Sequence, residues 1–175
     1  MGEYDYRDQL ESLRLITRKV VPGDYVKWSR FFENAEATRF HPELESLTPE
    51  ERAKKWIARQ ISRYNNRQYG LQALIHKESN SFIGMCGLLI QEINNKKEVE
   101  IGYHLIREHW GKGYAIEAAT LFKNYAFINQ IPSVTSIIHI LNTRSQNVAI
   151  KNGMTCEEQL EWSGKEVFIY RVNQS

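Results

Sequence analysis

The sequence predicts an α/β (α+β) fold, a mixed sheet of about seven strands flanked by about four helices. Two observations predict it. Segments with strand-like apolar patterning alternate with segments whose apolar residues recur at helical spacing. One helix also begins directly after a strand, across the short glycine-bearing loop Trp110-Gly111-Lys112-Gly113. At 175 residues, with no internal repeat, low-complexity tract or linker-like stretch, the chain reads as a single domain over 1–175.

Leu13 to Val20 alternates loosely and reads as a first strand ending near Pro22. Asp24 to Phe32 carries Tyr25, Trp28, Phe31 and Phe32 at helical spacing, and Asn34 to Leu47 is polar, contains His41-Pro42, and reads as a loop. Thr48-Pro49-Glu50-Glu51 is a helix start: a capping Thr, Pro at the first helical position and Glu three residues after the cap. That helix runs through Trp56, Ile57 and Ile61 toward Tyr64. Tyr69 to His76 and Phe82 to Gln91 are strands around the turn Lys77-Glu78-Ser79-Asn80. Asn94-Asn95-Lys96-Lys97 makes the next turn and Glu98 to Ile106 the next strand. Lys112 to Phe127 is an amphipathic helix with Ala115, Ala118, Ala119, Phe122 and Ala126 on one face. Val134 to Ile140 is a β-branched strand, and Asn142 to Asn152 is a helix stopped at Gly153. Met154 to Leu160 and Glu166 to Val172 are two closing strands around Ser163-Gly164.

Net charge is +2, from 23 basic and 21 acidic side chains, which argues against nucleic acid or an anionic membrane as the main partner. The apolar run Met85 to Ile90 falls far short of the ~20 residues of a membrane helix. The acidic N-terminus has no apolar signal region, and Tyr6 stands where a myristoylation motif at Gly2 needs Ser or Thr. Cys86 and Cys156 form neither a metal cluster nor a disulfide framework, and the five histidines lack ligand spacing, so no metal is expected. The expected setting is cytoplasmic. A homodimer is left open.

A strand–glycine loop–helix turns several main-chain N–H groups toward one point at a positive helix end, which is a phosphate cradle. The Walker string is absent, and the dinucleotide pattern would need glycine at Ile116. Trp110-Gly111-Lys112-Gly113-Tyr114-Ala115 instead resembles the acyl-CoA loop of the GNAT acetyltransferases, Q/R-x-x-G-x-G/A. It is nearest the branch that contains the ribosomal-protein N-terminal acetyltransferases, where Trp commonly opens the loop. Arg14-Leu15-Ile16-Thr17-Arg18 resembles that branch's opening strand, with Leu13 in place of its usual Glu. Glu100-Ile101-Gly102-Tyr103 resembles the strand before the loop. Asn142, Ser145, Val148, Lys151, Gly153 and Met154 fall at the intervals of its N-x-x-S…K-x-G-F signature, Met154 replacing Phe.

The resemblance implies a mostly antiparallel sheet and acetyl-CoA as the cofactor, its pyrophosphate on the amides from Gly111 to Ala115, with Trp110, Lys112, Tyr114 and Arg107 around it. It places edge groups for the pantetheine arm at Tyr103 and Leu105, and assigns Asn142, Ser145 and Asn147 to the coenzyme, helix capping being the plain alternative for both asparagines. The implied reaction is acetyl transfer to a primary amine, which must be neutral to attack. Glu100 is the first candidate base, sharing a strand face with Gly102 and His104, where burial raises a carboxyl pKa. Its plain alternative is a structural ion pair. His104 is the second candidate base. The Tyr that many relatives use as general acid aligns with Ala149, leaving Ser145 as the nearest hydroxyl. Glu98 reads as a surface charge, and Cys86 as a buried thiol rather than an acetyl-cysteine nucleophile.

The acceptor is expected to enter between the 34–47 loop and the 156–164 connection, where Glu43, Glu45, Glu157, Glu158 and Glu161 either attract a cation or are solvated. The branch favours a protein or peptide N-terminus. A polyamine or antibiotic acetyltransferase and a non-catalytic coenzyme-A-binding sensor are the alternatives.

Overall fold

The computed structural model describes residues 6–41 and 45–175; the reading of the first five residues and that of Glu43 fall outside them. One sheet runs through the molecule in the order β1-β2-β3-β4-β5-β7-β6. Its strands are β1 (Leu15–Lys19), β2 (Leu71–His76), β3 (Ser81–Ile93), β4 (Lys96–Leu105), β5 (Ser133–His139), β6 (Thr155–Trp162) and β7 (Lys165–Asn173). Every neighbouring pair is antiparallel except β4 and β5. The expected mixed, mostly antiparallel sheet of seven strands is what the chain forms.

The helices are α1 (Tyr25–Phe32), α2 (Ala35–Thr38), α3 (Pro49–Asn65), α4 (Tyr114–Ile128) and α5 (Thr143–Lys151). The additional one, α2, lies in the stretch read as loop. Asn34 caps it by accepting from the Ala37 N–H at 3.0 Å, and a single turn is too short to show periodicity. The Thr48 capping box closes as the spacing requires: Thr48 Oγ1 accepts from the Glu51 N–H at 3.3 Å and Glu51 accepts from the Thr48 N–H at 2.9 Å. The β3–β4 turn is tighter than expected. Asn94 and Asn95 both take left-handed φ, 50° and 61°, so β4 starts at Lys96 rather than Glu98.

Helices cover both faces of the sheet, so β2 and the first two-thirds of β3 are buried almost residue by residue. On one face Ala118, Ala119, Phe122 and Ala126 of α4 pack on Leu74, Ile83, Leu88 and Ile101. The small alanines let the helix lie close against β3 and β4. On the other face Trp28, Phe31 and Phe32 of α1 and Ala53 and Ile57 of α3 pack on Leu71, Ala73, Met85 and Leu89. The two layers leave the C-terminal ends of β4 and β5 between them.

Candidate functional site

Between β4 and α4 the chain turns through Gly111 at φ +74° and Gly113 at φ +82°, conformations that favour glycine. Gly113 is the N-cap of α4, so the first N–H groups of that helix have no partner one turn back. Among the described residues no main-chain acceptor takes the N–H groups of Gly111 through Ile116. A run of unspent donors thus lies at a helix N-terminus. It is braced by the residue before β1: Arg14 donates to the Lys112 carbonyl at 3.0 Å, pairs with Glu117 at 2.7 Å and lies 4.3 Å over the Tyr114 ring. The one acidic side chain of the first helical turn, Glu117, is held by Arg14 and Ser12.

β4 and β5 pair in parallel at a single position, Glu100 opposite Thr135, and then part. Thr135 Oγ1 donates to the Val99 carbonyl and Ser136 Oγ to the Ile101 carbonyl, while the Ile106 N–H goes to Ile83 of β3. Strand alternation therefore turns the main-chain groups of Tyr103 and Leu105 toward the side from which β5 has withdrawn. The Leu105 carbonyl is taken by the Trp110 indole N–H at 2.8 Å. The Tyr103 hydroxyl reaches across to α5, donating to the Ser145 carbonyl at 2.9 Å and accepting from Ser145 Oγ at 3.0 Å. Burial holds the Tyr103 hydroxyl well above its usual pKa, so it stays protonated.

At the fork itself sits Glu100. Its carboxylate accepts from Gln91 Nε2 at 2.7 Å and from the Ile137 N–H of β5, a donor released by the parting strands. Burial raises its pKa, against the lowering effect of those bonds and of Arg63. His104, on the same face, meets His41 at 4.7 Å, Trp56 at 5.2 Å and Phe31 at 5.9 Å between ring centroids. Burial and the His41 imidazole push its pKa well below the usual histidine value, leaving it neutral near pH 7. Both side chains keep some solvent contact although hemmed in by protein, as the wall of a cleft does. In that wall the Trp56 indole N–H is buried without a hydrogen-bond partner among the described residues.

The profile of the acetyltransferase (GNAT) domain matches residues 14–155. The chain belongs to the GNAT acetyltransferases. It is 30% identical over 147 residues to an uncharacterised N-acetyltransferase, p20, of Bacillus licheniformis, covering 79% of this chain and 82% of that one. It is 32% identical over 127 residues to the uncharacterised protein YkkB of Bacillus subtilis, covering 71% and 73%. Among solved structures, an acetyltransferase from Agrobacterium tumefaciens superposes with TM-score 0.78 at 24% identity, covering 99% of each chain. RimL, a ribosomal L7/L12 α-N-protein acetyltransferase in complex with coenzyme A, superposes with TM-score 0.76 at 19% identity, covering 95% and 98%. The protein is an acetyl-CoA-dependent N-acetyltransferase by family.

Within this GNAT frame the named residues have the following surroundings. Arg107 pairs with Glu36 of α2 at 2.9 Å and lies 4.8 Å from the Trp110 ring. Asn142 caps α5, accepting from the Ser145 N–H at 3.2 Å, and Asn147 is exposed. Lys112 is exposed and Ala115 half-buried. Glu98 is no solvated surface charge: Arg171 binds it at 2.8 Å and also holds Glu157 at 2.7 Å. Thr135, at the point where β4 and β5 still pair, stands opposite Arg171 in register, so this cluster lies toward the closed end of the fork. Glu158 contacts Asn94. His41 and Tyr103's hydroxyl escaped the sequence reading, because their roles rest on through-space neighbours that no local spacing encodes.

Cys86 is fully buried, and burial pushes its thiol far above the normal range, which removes it as a nucleophile at neutral pH. Ellman's reagent should titrate one thiol, Cys156, in the folded protein and both in denaturant. Rapid reaction of two thiols under native conditions contradicts this burial.

No helix among the described residues is long and apolar enough to cross a membrane. No group of three or more metal-ligating side chains occurs among them either.

Proposed function

We propose that the protein transfers the acetyl group of acetyl-CoA to a primary amine by direct attack, with a protein or peptide N-terminus favoured over a small polyamine. The observation that carries this reading is the fork. Free amides at the helix head, the Tyr103 main-chain edge and the Leu105 N–H left by β5, and the Glu100 and His104 side chains all lie where β4 and β5 part.

The donors from Gly111 to Ile116 fit a diphosphate: unpaired N–H groups at a positive helix end are its natural ligands. Acetyl-CoA supplies an activated thioester carbonyl when bound. The Tyr103 N–H, aimed into the gap, holds that carbonyl oxygen as negative charge develops, a preorganised donor of the kind that often gives a large share of rate enhancement. Glu100, directly or through one water, takes the proton from the attacking amine, with neutral His104 as the second acceptor of that proton. On the opposite face of the sheet the Tyr103 and Ser145 hydroxyls lie together, Tyr103 donating to the Ser145 carbonyl and Ser145 to the Tyr103 oxygen, so protonating the leaving sulfur requires the Ser145 hydroxyl to turn away from Tyr103. Tyr103 thus positions the Ser145 hydroxyl where the aligned position is Ala149.

The acceptor side supports a peptide. Its wall is aromatic, the carboxylates Glu98 and Glu157 are spent on Arg171, and the unpaired Trp56 N–H asks for an acceptor atom. A peptide carbonyl provides one; the ammonium groups of a polyamine do not. An α-amine also titrates near ~7.7–8.0 against ~10.4 for a lysine-like amine, so more of it is neutral at physiological pH. The test is a panel of peptides and small amines followed by release of free coenzyme A. Peptides should be acetylated on the α-amine with kcat/KM above spermidine's; a preference for spermidine contradicts the acceptor assignment. Ser145→Ala should lower kcat about tenfold or more with acetyl-CoA affinity held, the scale of a lost proton donor. An unchanged kcat removes Ser145 from the proton-donor role.

A further inference from the structure

One flank of α3 runs beside β4 and carries cations there without counter-charges of their own. Arg52, Trp56, Arg59 and Arg63 recur at steps of four, three and four residues, so they stack along one side of the helix. Three of the four have neighbours toward the fork. Arg52 donates to the His41 carbonyl at 2.8 Å, the Trp56 ring stands 5.2 Å from His104, and Arg63 lies within electrostatic reach of Glu100. From Trp56 to Arg63 the helix rises about 10 Å, and from His104 back to Glu100 the strand spans about 13 Å. The flank and the strand therefore keep step, and α3 faces both candidate bases.

The donors on this flank exceed the acceptors offered to them. A guanidinium carries five N–H groups. Half-buried Arg63 donates to Gln60 Oε1 at 3.1 Å, an oxygen that already accepts from the Leu71 N–H at 2.9 Å. Among the described residues neither Arg63 nor exposed Arg59 has a carboxylate in ion-pair contact. Loss of solvent, then the Arg59 charge, pushes the Arg63 pKa below the usual guanidinium value, with Glu100 opposing. Arg18 and Arg171, which do hold carboxylates, are shifted the other way. Nearby carboxylates are engaged elsewhere: Glu98 and Glu157 with Arg171, Glu36 with Arg107 and Arg144. Two like charges four residues apart on a helix burden the fold, and a bound anion relieves that burden.

We infer that this flank selects an acidic acceptor: Arg63 binds a carboxylate close to the amine that is acetylated, the Trp56 indole N–H binds a carbonyl of the same chain, and Arg59 adds longer-range attraction. This rests on the acetyl-transfer reading above and adds to it the charge of the acceptor. A guanidinium takes a carboxylate through paired, charge-assisted hydrogen bonds, which is the partner Arg63 lacks within the protein. On a peptide that carboxylate is an Asp or Glu side chain at position two, three or four. A free amino acid offers its α-carboxylate instead, but it is too short to reach donors about 10 Å apart along the helix. The peptide is therefore the occupant that fits both donors.

The test compares amidated peptides that differ only in carrying Glu, Gln or Lys at position two, three or four, with free glutamate as the small carboxylate. For the best-placed Glu peptide, wild-type kcat/KM should exceed that of its Gln counterpart about tenfold, mainly through KM, with the Lys peptide lower still. Raising the ionic strength should narrow that ratio. Arg63→Gln should bring the Glu-to-Gln ratio near one, and Arg63→Lys, which keeps the charge but not the fork, should restore part of it. A residue that served only Glu100 would change all the peptides in proportion. That outcome, or a wild-type ratio near one, overturns the proposal. Free glutamate acetylated faster than every peptide overturns the peptide as the occupant. Absence of coenzyme A release with every acceptor instead overturns the acetyl-transfer reading. Calorimetry of the Glu and Gln peptides on wild-type and Arg63→Gln protein saturated with coenzyme A then decides the flank alone, equal affinities in the wild type ending it.

Discussion

Gly113→Val should abolish measurable acetyl-CoA binding while the protein stays folded. Gly113 holds φ +82° at the N-cap of α4, a left-handed conformation that costs an L-residue roughly 1–2 kcal/mol and a β-branched one more. A Cβ built there would stand 3.3 Å from Arg14 Nη2. Arg14 is the brace that holds both the Lys112 carbonyl and Glu117, so the new side chain strains the loop from within and disturbs its support from without. The backbone relaxes toward negative φ, and the N–H groups on either side of position 113 stop converging. Calorimetry should show affinity reduced at least about 100-fold, the loss of some 2.7 kcal/mol. The far-ultraviolet circular dichroism should be retained, because Gly111, Lys112 and Gly113 belong to neither core. Wild-type affinity in this variant ends the assignment of the cradle.

Glu100→Gln should slow acetyl transfer about 10²- to 10⁴-fold, the usual contribution of a general base, and at neutral pH it should raise the melting temperature. The two effects share one cause. Burial lifts the folded-state pKa of Glu100 above the ordinary carboxylate value, so the fold prefers the protonated form. Its contribution to stability is full below the unfolded-state pKa and is lost as pH rises through the raised folded-state pKa. Near neutrality the ionised carboxylate is a burden on the fold that the reaction needs. Glutamine mimics the protonated group: its carbonyl can still accept from the Ile137 N–H, but no charge is buried. The gain in melting temperature should shrink as pH falls toward the carboxylate range, whereas wild-type kcat/KM should decline on acidification through the raised pKa. An unchanged rate sinks the base role; a lower melting temperature at neutral pH sinks the account of its burial.

Much of this molecule was legible one segment at a time. Thr48-Pro49-Glu50-Glu51 carries its own capping geometry, and Asn94-Asn95 its own left-handed turn. The alanine face of α4 is spaced to lie on a sheet, and Gly111 and Gly113 sit where only a glycine loop turns easily into a helix head. In each case the physical cause acts within a few residues, so the order of residues suffices. The α2 turn was missed because its cap, Asn34, acts on too short a stretch to leave a period.

What sequence order alone determined is the arrangement of strands and helices, the phosphate-cradling loop and the choice of β4 as the strand that feeds it. Only the tertiary structure decided which side chains stand together. Arg107 stands against Glu36, Glu98 left solvent for Arg171, and His41 came to His104 across 63 positions of chain. Those outcomes depend on β5 parting from β4 after a single paired position, which opens a gap that groups from α2, α3 and α5 then fill. Pairing of that kind is settled by packing between distant elements, whose energies no local spacing records.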